Sequence, residues 1–156
     1  MPDEEDRTDE ETRRDRQLVE LLNELRVALP GVQILFAFLL TVPFAQGFQR
    51  VTDVQKGLFY ATLLCTTIST ICFIAPSATH RLRFHQGDRQ YVIETANKYT
   101  IFGLIFLAVA IVLALLMITD VLYAGTAVFA FPAVVALTLV SVWFVRPLVR
   151  GAKDRR

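Results

Sequence analysis

Four blocks of this sequence contain no Asp, Glu, Lys, Arg or His: Val27–Gln49, Gly57–Thr79, Tyr99–Thr119 and Val121–Val145. They hold 23, 23, 21 and 25 residues, and about 20 apolar residues suffice for a helix to cross a hydrocarbon core of roughly 30 Å. A helix of a soluble bundle keeps polar residues on one face. These blocks are apolar nearly all round, as lipid-facing segments must be. Hydrophobic residues make up 54% of the 156-residue chain, too many for an ordinary soluble domain of this size. The reading is an all-α, integral membrane four-helix bundle occupying residues 30–148, with spans at about 31–48, 58–76, 100–118 and 126–145.

The net charge of +1 is the balance of two opposed groups. Residues 1–16 carry Asp3, Glu4, Glu5, Asp6, Asp9, Glu10, Glu11 and Asp15 against four arginines, while residues 149–156 form a basic tail. An acidic leader argues against nucleic acid as a partner, and it lacks the basic opening of a cleavable signal peptide. Positive charge also sets the orientation. Arg7, Arg13, Arg14, Arg16 and Arg26 precede the first span, Arg81, Arg83, Arg89 and Lys98 lie between the second and third, and Arg146, Arg150, Lys153, Arg155 and Arg156 follow the fourth. The opposite side holds only Arg50 and Lys56. The positive-inside rule therefore places both termini and the middle loop in the cytoplasm of a multi-pass protein of the cell membrane.

Prolines and aromatics fall near these limits. Pro30 is expected to separate a leader helix from the first span, and Pro76 and Pro147 to follow the ends of the second and fourth, because proline cannot continue a helical ladder behind it. Pro43 and Pro132 lie inside spans and are expected to kink them modestly. Tyr60, Tyr99, Tyr123 and Trp143 sit within a few residues of span ends, where an amphipathic ring keeps its polar atom at the headgroups.

Thr8 and Glu11 have the spacing of a capping box. Downstream, Leu18, Leu22, Leu25 and Leu29, with Leu21 and Ala28 beside them, repeat at three and four residues. The spacing predicts an amphipathic cytoplasmic helix over 17–29 after a mostly disordered acidic leader over 1–16. Such a helix has three possible settings: the headgroup plane, the cytoplasmic loop of its own bundle, or a short coiled coil with a sister subunit. In the loop over 77–98, His80, Arg81, Arg83 and His85 form a basic cluster at headgroup level. They are candidate contacts for anionic lipid or another phosphate, or simply the charges that fix topology. Two histidines five apart, without a cysteine or third histidine nearby, give no metal site.

In the second block Ala61, Cys65, Ser69 and Cys72 form one small-residue face, with Thr62, Thr66 and Thr70 beside it. Such a face is a candidate for close helix packing, within the subunit or between subunits. Cys65 and Cys72 lie about 10 Å apart along one helix and cannot pair with each other.

The run Leu21-Leu-Asn-Glu-Leu-Arg-Val-Ala-Leu-Pro-Gly-Val-Gln-Ile-Leu-Phe-Ala-Phe-Leu-Leu-Thr-Val-Pro-Phe44, with Ile74-Ala-Pro-Ser-Ala-Thr-His-Arg81 and Ala96-Asn-Lys98, resembles a family of small bacterial membrane proteins classed only as a domain of unknown function. The resemblance covers about Leu18 to Leu115. It implies four spans in a bacterial inner membrane and no established activity, although members sometimes carry the label of sodium/proton antiporter.

An antiporter needs an ionisable group near the bilayer midplane, and all four blocks lack one. Asp53 and Asp120 flank the blocks, and Asp120 is the candidate acid if an ion pathway exists. No catalytic motif of the common hydrolase, metalloprotease or phosphate-binding kinds is present. The residues point to no catalytic site and no cofactor. They fit a scaffold, assembly or regulatory subunit contacting membrane lipids and either a second copy of itself or another membrane protein, the alternative being a small transporter or antiporter component acting as an oligomer.

Overall fold

A computed structural model describes residues 2–82, 89–123 and 125–146. Four long helices account for most of them: α1 (Pro2–Thr41), α2 (Asp53–Leu82), α3 (Arg89–Leu122) and α4 (Ala127–Val140). Two short 3₁₀ helices, Val42–Phe44 and Gln46–Arg50, join α1 to α2, and a single π-type turn, Ser141–Val145, extends α4. Four helical segments are apolar and long enough to cross a membrane, Asn23–Phe44, Asp53–Thr79, Glu94–Leu122 and Val128–Val145, the first running into the 3₁₀ helix Val42–Phe44 and the fourth through the π-type turn. The exposed side chains of these segments include Val27, Ile34, Phe38, Leu64, Ile71, Val109, Phe129, Val134 and Leu137. Water would not tolerate so broad an apolar surface, whereas lipid tails solvate it.

Three expectations about proline are corrected. α1 runs through Pro30, and α2 runs through Pro76 to Leu82. An interior proline removes one hydrogen bond and costs about 3 kcal/mol, but ending the helix there would orphan up to four carbonyls and four amides on either side of the break. In apolar surroundings the second penalty is larger. Pro43, expected to kink the first span, instead ends it: α1 stops at Thr41 and Pro43 lies in the following 3₁₀ helix, consistent with the restriction a proline places on the residue before it. The first apolar helix therefore closes about seven residues short of the expected Phe48.

The acidic leader, expected to be mostly disordered, belongs to α1 from Pro2 onward. Proline suits the first helical position, and Asp3, Glu4, Glu5 and Asp6 follow where the positive end of the helix dipole favours carboxylates. Thr8 and Glu11 consequently lie inside the helix rather than at its start. The basic tail over 149–156 lies outside the described residues.

The chain divides into two compact units, Met1–Phe38 with Thr66–Phe106, and Leu39–Cys65 with Leu107–Arg156. In the first, Leu25 and Val32 of α1, Thr66, Ser69, Phe73 and Pro76 of α2, and Ala96 and Gly103 of α3 are buried. In the second, the buried set includes Leu39, Phe59, Thr62, Ala110, Thr119, Val128 and Pro132. Phe59 there receives the ring of Phe48 edge-on at 5.2 Å, which ties the 3₁₀ segment to the first turns of α2.

Along α1, α2 and α3 as far as Ala110 the buried positions repeat every 3.5 residues on average. On α2 they are Phe59, Thr62, Thr66, Ser69, Phe73 and Pro76, alternating three and four apart. On α1 they are Leu25, Val32 and Leu39, and on α3 Ala96, Gly103 and Ala110, each seven apart. Each of these sets is a single buried stripe along its helix.

Gly103 is where the fit is tightest. A Cβ built on it would lie 2.6 Å from Cε1 and 2.7 Å from Cδ1 of Phe73, closer than two carbons approach without repulsion. A side chain at 103 therefore requires the Phe73 ring or the backbone of α3 to move. Gly103→Val is expected to lower stability by about 2–3 kcal/mol, in the range of overpacked cores, with Phe73→Leu recovering part of the loss. Thermal unfolding of the two single variants and the double variant in detergent checks this; additive losses would show that the ring and the glycine do not oppose each other.

Candidate functional site

In hydrocarbon a polar side chain is retained at a cost unless it is hydrogen-bonded. The buried polar side chains among the described residues are Thr62, Thr66, Ser69 and Thr119, and no described buried side-chain polar atom lacks a partner. Three of the four line the buried face of α2. Thr62 turns its hydroxyl back to the carbonyl of Leu58 at 2.7 Å, and on the same helix Thr70 does so to Thr66 at 2.8 Å. Such back-bonding shields the hydroxyl within its own helix. Ser69 differs: its Oγ donates to the carbonyl oxygen of Gly103 at 2.8 Å, a bond between α2 and α3. The missing side chain of Gly103 is what lets the hydroxyl reach the α3 backbone.

Of Ala61, Cys65, Ser69 and Cys72, only Ser69 is buried; the other three are half-buried along its flank. The buried seam carries hydroxyls and phenyl rings instead. The small-residue rule holds, but the small residues lie on the facing helix, as Ala96 and Gly103 of α3, so α2 can present larger groups. Gly103 was visible in the sequence as the single glycine of the third charge-free block, and a glycine inside a helix marks close backbone approach.

A second polar group lies at the turn between the 3₁₀ segment and α2. Gln55 N–H donates to Thr52 Oγ1 at 3.3 Å while Thr52 N–H donates to Gln55 Oε1 at 3.0 Å, a reciprocal capping box. With its oxygen held by the cap, the Gln55 amide points its nitrogen at α3, and Nε2 donates to Asp120 Oδ2 at 2.9 Å. Asp120 sits in the last turn of α3, where the helix dipole disfavours a carboxylate. The amide donor offsets that penalty. The candidate ion-pathway acid is therefore a bonded, exposed group, and the neighbouring Asp53 pairs with Lys56 at 3.3 Å. The Thr52-x-x-Gln55 spacing is a legible cap signal; its reach to Asp120 is a tertiary fact that no local pattern contains.

Thr119, one residue earlier, is 7% exposed. Its Oγ1 lies 2.7 Å from the carbonyl oxygen of Leu115, 3.1 Å from that of Leu116 and 3.1 Å from that of Val128 on α4. Of the basic cluster, Arg81 is exposed near the end of α2. Arg83 and His85, and the side chain of His80, lie outside the described residues.

Two measurements test these assignments. Ser69→Leu is expected to destabilise by about 2–3 kcal/mol and Cys65→Leu by less than about 1 kcal/mol, because only the first is fully enclosed; equal losses would show the two positions to be enclosed alike. Gln55→Ala should cost about 1 kcal/mol through the lost cap and Asp120→Ala about 0.5 kcal/mol. Their double variant should lose less than the sum, since the two share one bond.

The chain matches no curated protein and no solved structure. A family model does match, over residues 7–147, a stretch that takes in all four apolar helices. The chain belongs to the Family of unknown function (DUF6328).

Proposed function

We propose that the protein is a membrane-embedded scaffold, assembly or regulatory subunit that acts through helix–helix and lipid contacts. The observation that carries this reading is the division of chemistry across the molecule. The buried polar groups are hydroxyls whose described bonds end on the chain's own backbone, as with Thr62, Ser69 and Thr119. Large apolar side chains occupy the exposed positions of all four helices. A surface of this kind offers shape and apolar area to lipid tails or to another apolar helix.

The distribution of Lys and Arg supports an orientation with both termini and the 77–98 loop in the cytoplasm of a cell membrane. The exposed Arg81 and Lys98 suit anionic headgroups on that side. A second copy of the chain or another membrane protein is the expected partner.

Native mass spectrometry of the full chain released from mild detergent tests the reading. The expected result is an assembly larger than one chain, or one chain with retained lipid. A bare single chain that also gives sodium-dependent proton flux in liposomes, abolished by Asp120→Asn without unfolding, would replace the scaffold by a transporter. A fluorescent reporter that matures only in the cytoplasm is expected to glow when fused at Arg156 and to stay dark when inserted at Gly125; fluorescence at Gly125 would reverse the orientation.

A further inference from the structure

The first turn of α4 is bounded by two weak points. On one side Gly125 has φ +86°, the only positive φ among the described residues, a conformation glycine enters without steric cost. On the other side Pro132 lies inside α4 and has no N–H, so the carbonyl four residues earlier, that of Val128, loses its helical donor. The turn is also loosely closed at its start. The amides of Val128 and Phe129 donate three residues back, to the carbonyl oxygens of Gly125 and Thr126 at 3.3 and 3.2 Å. Its other side chains do not hold it: Phe129 is 66% and Phe131 54% exposed.

One residue does hold it. Val128 is 5% exposed, and its donor-deprived carbonyl is the atom that lies 3.1 Å from the Thr119 hydroxyl. That hydroxyl has one proton and three carbonyls in reach. The carbonyls of Leu115 and Leu116 already receive the amides of α3, so the Val128 oxygen is the acceptor with the most to gain.

We propose that the Thr119 hydroxyl latches Val128–Phe131: shared with carbonyls of its own helix, it also serves the carbonyl that Pro132 leaves without a donor and so holds the first turn of α4 on α3. The proline provides the acceptor of the latch. Neighbouring hydroxyls commonly satisfy carbonyls freed by proline in membrane helices; here the same hydroxyl is shared with the carbonyls of Leu115 and Leu116 on its own helix.

Hydrogen–deuterium exchange of the full chain in detergent micelles tests the latch. Thr119→Val, which keeps the side-chain shape without the hydroxyl, is expected to speed exchange of the amides over 128–131 by about tenfold, as loss of one hydrogen bond implies, while exchange over 134–140 is unchanged. Thr119→Ser, and Thr138→Val on the exposed face of α4, should exchange as the unaltered chain does. In a Pro132→Ala background, where an amide again reaches the Val128 oxygen, Thr119→Val should have no local effect. The proposal is overturned if Thr119→Val leaves 128–131 unchanged, if it speeds exchange evenly along α3 and α4, or if its effect persists with Pro132→Ala. Should Thr119→Val not fold, Thr119→Ala takes its place: faster exchange over 128–131 that Pro132→Ala cancels supports the latch, and unchanged exchange overturns it.

Discussion

A chain that crosses hydrocarbon must close its backbone and side-chain hydrogen bonds within itself, because no solvent there will close them. The described part of this molecule is arranged around that requirement. Hydroxyls on α2 fold back on their own helix, Ser69 reaches the backbone of α3, and Thr119 stands beside the carbonyl that Pro132 leaves without a donor. The requirement also explains why α1 and α2 continue through Pro30 and Pro76. One missing bond is tolerated where two new helix ends would not be.

The close approach at Gly103 depends on the same logic. A hydroxyl bridges two helices where the backbones are near, and a residue without a side chain brings them near at this point. The glycine therefore serves two purposes, admitting the Phe73 ring and exposing a carbonyl to Ser69. At the turn, Gln55 links local and tertiary structure in a comparable way. Its amide oxygen ends α2 and its amide nitrogen holds α3 through Asp120.

Much of this was legible in the sequence. Charge-free blocks of sufficient length give four apolar helices, since length and composition are what a bilayer selects. The helix limits were less legible, because the rule that proline ends helices comes from soluble proteins, in which water can take up the freed carbonyls. The buried face of α2 was less legible for another reason. Small residues identify where helices come close, but a single sequence does not say which helix of a pair supplies them, and Cys65 and Cys72 looked as suitable as Gly103. The Thr119–Pro132 relation spans a turn and two helices and follows no periodic pattern. Only the fold brings those atoms together.

The length of α1 has a mechanical consequence. The helix runs unbroken from Pro2 to Thr41, whereas its apolar window opens only at Asn23, so a rigid arm of about 30 Å, at 1.5 Å per residue, precedes that window. A tilt of the apolar part by about 10° would sweep the tip of this arm through roughly 5 Å. A small reorientation of the apolar part would thus be magnified into a displacement at the acidic end of the chain.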